Sequence, residues 1–476
     1  MAPNILLVVL DAVRRDALEP YGAPVGSTPA IADLARRGTA LPHAYAPSSW
    51  TLPSHASMFT GLLPRRLGLA QAPAGNPQSA RPLLERVADR VLARRLQDAG
   101  FATHGWSNNL WVSPFAGFDI GFDSFDYIAS DRGERVGALA GGARAQLAWA
   151  MEGLRSRSDD GAAVVAQALR SSIGAWSGQP TLWFVNLVEC HSPYLPPRPW
   201  NDLPPADRAR SGIEAGRHLS FEAICLYVAG RHRVPSAALE RMRHLYARAA
   251  AYMDDWLAGV LGALDARGIL EDTIVIVTSD HGENFGEDGL IAHGFSLDQR
   301  LIHVPLVLAG PGVKPVAGVF SLAELPRLVA DTVGLTDHPW RADELPGGIA
   351  LAQYDPLGAA EHPLVQQAAH KFDLPQEGVE RLTARFSAAT DGRHKLVVRN
   401  GEERLFDLAG DPDELRPLDP AGANGSLEPL RIALGHPATG APAVAPRAAT
   451  PSQVAGRSDA EEIAAIEQQM KLLGYL

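Results

Sequence analysis

At 476 residues with 46% apolar side chains, the chain is long enough to bury a large core and is not of a disordered class. Its formal net charge of -11 argues against a general affinity for nucleic acid or anionic membranes, while a local basic pocket for an anionic substrate remains compatible with it. Two cysteines, Cys190 and Cys225, give no disulfide framework and suit a reducing compartment as small buried apolar residues. The first apolar run, Ile5 to Leu10, follows no basic segment and is too short for a signal peptide or a membrane span, so a soluble cytoplasmic protein is expected.

Asn4 to Leu10 is a continuous Ile/Leu/Val run, the pattern of a strand buried on both faces of a mainly parallel sheet, and it ends at Asp11. Ligands of open parallel sheets bind at the carboxyl ends of strands, so Asp11 stands where a metal ion would sit; as a plain residue it would cap the next helix. Thr28 to Gly38 reads as a helix with Thr28 as cap, Pro29 in the first turn, Ile31 and Leu34 inward and Gly38 as its stop. Ser48 to Gly61 then places Thr51 just ahead of Pro53 at a helix start. A hydroxyl there lies at the positive end of the helix dipole, a position for an anion and a nucleophile as well as for an ordinary cap.

Helical patterns follow over Glu85 to Ala99, between Asp131 and Gly178, and over Pro235 to Gly268, the last with a stripe from Leu239 to Leu257 that belongs to the core. Short strands are expected at Ala102 to Trp106, Thr181 to Val188, Thr273 to Thr278 and Leu301 to Leu308, and the glycine- and aromatic-rich stretch from Gly117 to Asp123 is a surface loop. Two of the strands run into titratable residues. Thr181 to Val188 exits to Glu189-Cys190-His191, and Thr273 to Thr278 exits to Ser279-Asp280-His281, whose adjacent carboxylate and imidazole are donors of the kind Zn, Mn or Mg sites use. His293 follows in Ala292-His293-Gly294, whereas His303, inside an apparent strand, suits a structural role.

The expected domain organisation is a catalytic α/β domain over residues 1–339, a small C-terminal α+β subdomain over 340–434 with strands at Phe386 to Thr390 and Lys395 to Arg399, and an Ala/Pro/Gly-rich arm with a final amphipathic helix over 435–476. Ser458 and Glu461 form a capping box at the start of that helix.

Taken together, Leu10-Asp11-Ala12-Val13-Arg14, Thr51-Leu52-Pro53-Ser54-His55, His191-Ser192-Pro193-Tyr194, Thr278-Ser279-Asp280-His281-Gly282-Glu283 and Leu405-Phe406-Asp407-Leu408 resemble the ordered motifs of the sulfatase family of the alkaline phosphatase superfamily, over nearly the whole chain. The resemblance implies a doubly wound, mainly parallel sheet between helices, one bound divalent ion (Zn, Mn, Mg or Ca) and a nucleophile that is transiently phosphorylated or sulfated. It implies Asp11, Thr51, Asp280 and His281 as metal-binding positions, Thr51 as nucleophile, and His191 and His293 near the leaving group. The substrate expected is a small anionic ester, with neither nucleic acid nor membrane as partner.

Three departures bear on the chemistry. The first residue of the family's Cys/Ser-x-Pro-x-Arg motif is oxidised to formylglycine in true sulfatases, and Thr51 cannot undergo that conversion. His55 replaces the motif's arginine, and Ala12 replaces a metal-ligand aspartate found in many members. Without the formylglycine route for shedding sulfate, the expectation is a metal-dependent hydrolase of phosphate or phosphonate esters with a covalent Thr51 intermediate. The alternatives are a sulfate-ester hydrolase, a soluble phosphoryl or phospho-alcohol transferase, or a non-catalytic binding protein on the same fold.

Overall fold

A computed structural model of the chain describes residues 2–69, 79–130, 132, 142–157, 159–356, 360–419, 424–436 and 439–440. Its centre is a seven-stranded sheet in the spatial order Thr39–Ala40, Leu306–Ala309, Thr273–Thr278, Asn4–Leu10, Thr181–Leu187, Ala102–Ser107, Ser124–Tyr127. The strand Asn4–Leu10 pairs in parallel with both Thr181–Leu187 and Thr273–Thr278; Leu306–Ala309 alone runs against it, since the edge strand Thr39–Ala40, antiparallel to Leu306–Ala309, returns to its direction. Its six apolar residues are at most 2% exposed. Alternate side chains serve opposite faces: Leu6, Val8 and Leu10 pack with the helices Ala162–Ala175 and Ser236–Ala266, while Ile5, Leu7 and Val9 pack with Met58, Phe59 and Leu96. At about 1.5–3 kcal/mol for each fully buried aliphatic side chain, this strand anchors both layers.

Register positions the chemistry. Leu10 lies opposite Leu187, Val9 opposite Thr278, and Ser107 opposite Asn186, so the residues that follow these four strands emerge side by side at one edge of the sheet.

A second, wholly antiparallel sheet runs in the order Ala350–Tyr354, Phe386–Thr390, His394–Arg399, Glu402–Asp407. One face carries Leu351, Ala389, Leu396 and Leu405 against the helix Asn424–Leu434, and the other packs Ala352, Tyr354 and Phe386 against Leu297, Leu301 and Ile302. Among the described residues no helix is long and apolar enough to cross a membrane. The C-terminal helix expected after Ser458 lies outside the described residues.

Three local expectations are corrected. Glu85 to Ala99 is not one helix: the chain forms Arg81–Arg86, a short turn over Ala88–Arg90 and Leu92–Asp98, because buried Val91 takes an extended backbone (φ -72°, ψ 124°) and restarts the helix. Leu301 to Leu308 is not one strand either. Gln299–Ile302 closes a helical turn, His303–Val304 joins a small separate sheet, and after Pro305, whose ring supplies no N–H, Leu306–Ala309 enters the main sheet.

Thr28 does sit at the start of the helix Pro29–Arg37, but its Oγ1 accepts the Glu19 N–H instead of capping. The cap is remote: Asp254, buried in the long helix, accepts the N–H groups of Ala30 and Ile31 at 3.0 and 2.8 Å. Asp254→Ala orphans both donors, so an equilibrium denaturation curve should show a loss of about 1–2 kcal/mol, with the denaturant dependence unchanged.

Candidate active site

The helix Thr51–Thr60 carries the residue on which the site turns, and all ten of its side chains are buried. Polar residues are tolerable there because Ser57 and Thr60 return their hydroxyl protons to the carbonyls of Pro53 and Ala56, and Ser54 donates to the Asp280 carbonyl at 2.6 Å. Gly61 ends the helix at φ +76°; a Cβ there would come within 2.5 Å of the Trp340 ring. Thr51, 1% exposed, is the first helical residue, with Trp50 extended before it. Its Oγ1 lies 3.5 Å from Asp11 Oδ2 and 3.3 Å from His281 Nε2.

Asp11, Asp280 and His281 are fully buried and bring one donor atom each within 4.8 Å of one another. Asp280 Oδ1 accepts the N–H groups of Ala12 and His281 at 3.2 and 3.0 Å, and Asp11 Oδ2 accepts the Asn109 amide at 2.6 Å. That leaves Asp280 Oδ2 and Asp11 Oδ1 buried without a hydrogen bond. His281 Nδ1–H donates to the Gly282 carbonyl at 2.8 Å, so its Nε2 carries a lone pair, and this lone pair faces Asp11 Oδ1 and Asp280 Oδ2 at 3.7 and 3.5 Å. Three buried electron pairs converging on one point repel unless a cation lies among them, so the donor set fits a divalent metal ion. The titration directions agree: burial and then Asp280 push the Asp11 carboxyl up, while burial pushes the His281 imidazole down. Ala12, left-handed at φ +61° and fully buried, contributes no donor of its own, and the turn is pinned where Tyr246 Oη donates to the Ala12 carbonyl at 2.8 Å.

His55 faces oxygen atoms with both ring nitrogens: Nδ1 is 3.0 Å from the Thr51 carbonyl and 3.4 Å from Asp280 Oδ2, and Nε2 is 3.1 Å from Asn186 Oδ1. Burial opposes its protonation, but Asp280 and Asp11 outweigh that and hold the imidazole above its ordinary value. The shift runs in the direction that favours positive charge where the motif's arginine is replaced. His191 and His293 are also drawn in. The His293 ring lies 4.4 Å from the His281 ring and 4.7 Å from the His191 ring, centroid to centroid, and its Nδ1 is 3.2 Å from Glu283 Oε1.

All seven residues singled out in the sequence thus meet at one edge of the sheet. Three further neighbours emerge only here: Asn109, Asn186 and Glu283. Glu283 stood in the Asp280-His281-Gly282-Glu283 motif without a role; burial raises its carboxyl to about 7. Asn109 follows the exit of the strand Ala102–Ser107, where Asn-Asn reads as ordinary turn chemistry.

Residues 3–334 match the family model described as Sulfatase. The chain belongs to the sulfatase family. The family match makes it a sulfatase-like ester hydrolase. It is 26% identical over 466 residues to a choline-sulfatase of Rhizobium meliloti, spanning 87% of this chain and 82% of that one. Among solved structures, the fold is similar to a 2-O GAG sulfatase (TM-score 0.64, 16% identity, 91% of each chain) and to a phosphonate monoester hydrolase of Silicibacter pomeroyi (TM-score 0.63, 20% identity, 91% of this chain and 95% of that one). Within the sulfatase family, then, this chain carries threonine where the motif calls for a convertible residue.

Proposed function

We propose that the chain hydrolyses phosphate or phosphonate esters through a covalent intermediate on Thr51. The observation that carries this reading is the placement of the Thr51 hydroxyl, buried at the positive end of its helix and within 3.5 Å of both Asp11 and His281. Asp11, Asp280 and His281, with the Thr51 oxygen, would hold one divalent cation, which supplies positive charge that acidifies a hydroxyl and polarises a phosphoryl oxygen.

Deprotonated Oγ1 attacks phosphorus, the Thr51–phosphorus bond forms, and the bond to the leaving oxygen breaks. His191 and His293 stand beside the site to hydrogen-bond or protonate that oxygen. Of the two, His191 suits the donor role: burial opposes its charge, but Asp11 and Glu283 hold its imidazole above the ordinary value, whereas burial and His191 push His293 down to about 3. His55 fixes the first helical turn through the Thr51 carbonyl and offsets charge on the transferred group. Water then attacks phosphorus and restores the threonine.

Sulfate esters suit this cycle less well, because a sulfated threonine lacks the collapse route that formylglycine hydrate provides. Initial rates on aryl phosphate, diaryl phosphate, aryl phosphonate and aryl sulfate, measured in parallel, should rank a phosphorus ester first. Aryl sulfate ranking first with Thr51 still required would favour the plain sulfatase reading suggested by the choline-sulfatase relative.

A further inference from the structure

Glu283 is 0% exposed, two residues beyond His281, with one carboxylate oxygen 3.2 Å from His293 Nδ1 and the other buried without a hydrogen bond. A carboxylate is costly to bury in this way, and the chain has bent its backbone to bring the pair together. From Glu283 it runs through the two-stranded hairpin Asn284–Phe285 and Ile291–Ala292, and the loop and the turn that follows place Asp288, Ala292 and Phe295 at φ +48°, +61° and +59°. These non-glycine left-handed residues cost free energy that the surrounding packing must offset, and two of them flank His293 within three residues. The turn is fastened to the nucleophile loop by the Gly294 N–H, which donates to the Ser49 carbonyl at 3.1 Å. The result is a carboxylate–imidazole pair whose ring is wedged against His281 and His191, the geometry in which a base is oriented by a third group.

Resting on the Thr51 reading above, we propose that Glu283 is the positioning residue for the second half of the reaction. By accepting the Nδ1–H of His293 it sets that ring's tautomer, so that Nε2 presents a lone pair to the water that discharges the intermediate. In a two-step displacement the leaving group departs, and water arrives, on the same side of phosphorus, opposite the threonine; the two histidines therefore divide the work. His191 serves the departing oxygen. His293 aligns the incoming water: the water oxygen bonds to phosphorus, its proton passes to Nε2, the bond from phosphorus to Thr51 breaks, and the threonine oxygen keeps the electron pair and takes a proton from solvent, while the ring releases the proton it accepted to solvent.

The test is pre-steady-state kinetics of Glu283→Met, which keeps the volume and removes the acceptor, and of Glu283→Gln, which keeps an acceptor oxygen, each with p-nitrophenyl phosphate and a rapid acid quench. Glu283→Met should release a burst of nitrophenol near one per chain, then turn over about 100-fold more slowly than the unmodified protein, with phosphate accumulating on the Thr51 peptide. Glu283→Gln should recover most of the slow phase, and bound metal and melting temperature should stay at the unmodified values in both. Equal slowing of burst and steady state, with no accumulation, or loss of metal in Glu283→Gln, would overturn the assignment and make Glu283 structural. Should Glu283→Met fail to fold, the Glu283→Gln protein decides alone, since any slowing confined to the second phase supports the role and uniform slowing refutes it. Phosphate trapped on Thr51 in the unmodified protein separates this outcome from a failure of the underlying reading.

Discussion

Thr51→Ala should lower turnover by about four orders of magnitude or more, because it removes the attacking atom itself and not merely an aid to it. The fold should survive. The threonine hydroxyl makes only long contacts, at 3.5 and 3.3 Å, and the helix it opens is held by Ser54 on the Asp280 carbonyl and by its all-buried apolar residues. Thr51→Ser keeps the hydroxyl but loses the β-branch that limits its rotamers, so it should retain part of the activity. Melting curves of the three proteins, measured beside their rates, separate loss of chemistry from loss of structure. Near-normal turnover in Thr51→Ala would make the residue a helix-start contact only.

The second large effect concerns Asp280. Its Oδ1 is committed to two backbone N–H donors, so the amide of Asp280→Asn must keep its oxygen there and turn its NH2 toward Asp11 Oδ1 and His281 Nε2. That exchange places donors where the structure gathers lone pairs. Metal affinity and activity should both fall, activity by at least about 100-fold. Without metal the substitution relieves the repulsion between the Asp280 and Asp11 carboxylates but also removes the charge that faces His55 Nδ1 at 3.4 Å, so the metal-free proteins should differ less in stability than the metal-loaded ones. The discriminating comparison is therefore the melting temperature with and without added divalent ion: a rise on metal addition in the unmodified protein and none in Asp280→Asn. Stoichiometric metal retained by Asp280→Asn would remove this residue from the ligand set.

Much of this arrangement was legible before any coordinates, and the reason is physical. A strand buried on both faces needs an unbroken apolar run, so the abrupt change from Leu10 to Asp11, or from Thr278 to Ser279-Asp280-His281, marks the strand end, and parallel pairing puts such ends together. Thr51 was readable because Pro53 tolerates only the first helical turn. What escaped were contacts made across the fold. Asp254 caps a helix that begins more than 220 residues earlier, and nothing near Thr28 announces it. The pairing of Glu283 with His293 depends on left-handed turns at Ala292 and Phe295, residue types that carry no turn signal. The break at Pro305 was visible as a residue but not as a change of sheet, because whether a strand continues past a proline is decided by its neighbours on both sides.

The charge at His55 shows the same limit from another direction. Histidine in place of arginine reads as a lost cation, yet in spite of its burial Asp280 and the Thr51 carbonyl, packed against the ring, raise its imidazole above the ordinary value. His55→Gln, which keeps hydrogen bonding without charge, should accordingly slow the first chemical step more than it weakens the fold.

The central claim is a covalent threonine intermediate, and stereochemistry at phosphorus tests it most directly. A phosphate ester made chiral with oxygen isotopes, or a chiral phosphorothioate, is hydrolysed and the product's configuration is read by phosphorus NMR. Two successive in-line displacements, by Thr51 and then by water, predict net retention. Net inversion would mean that water attacks the ester directly, and would contradict the account.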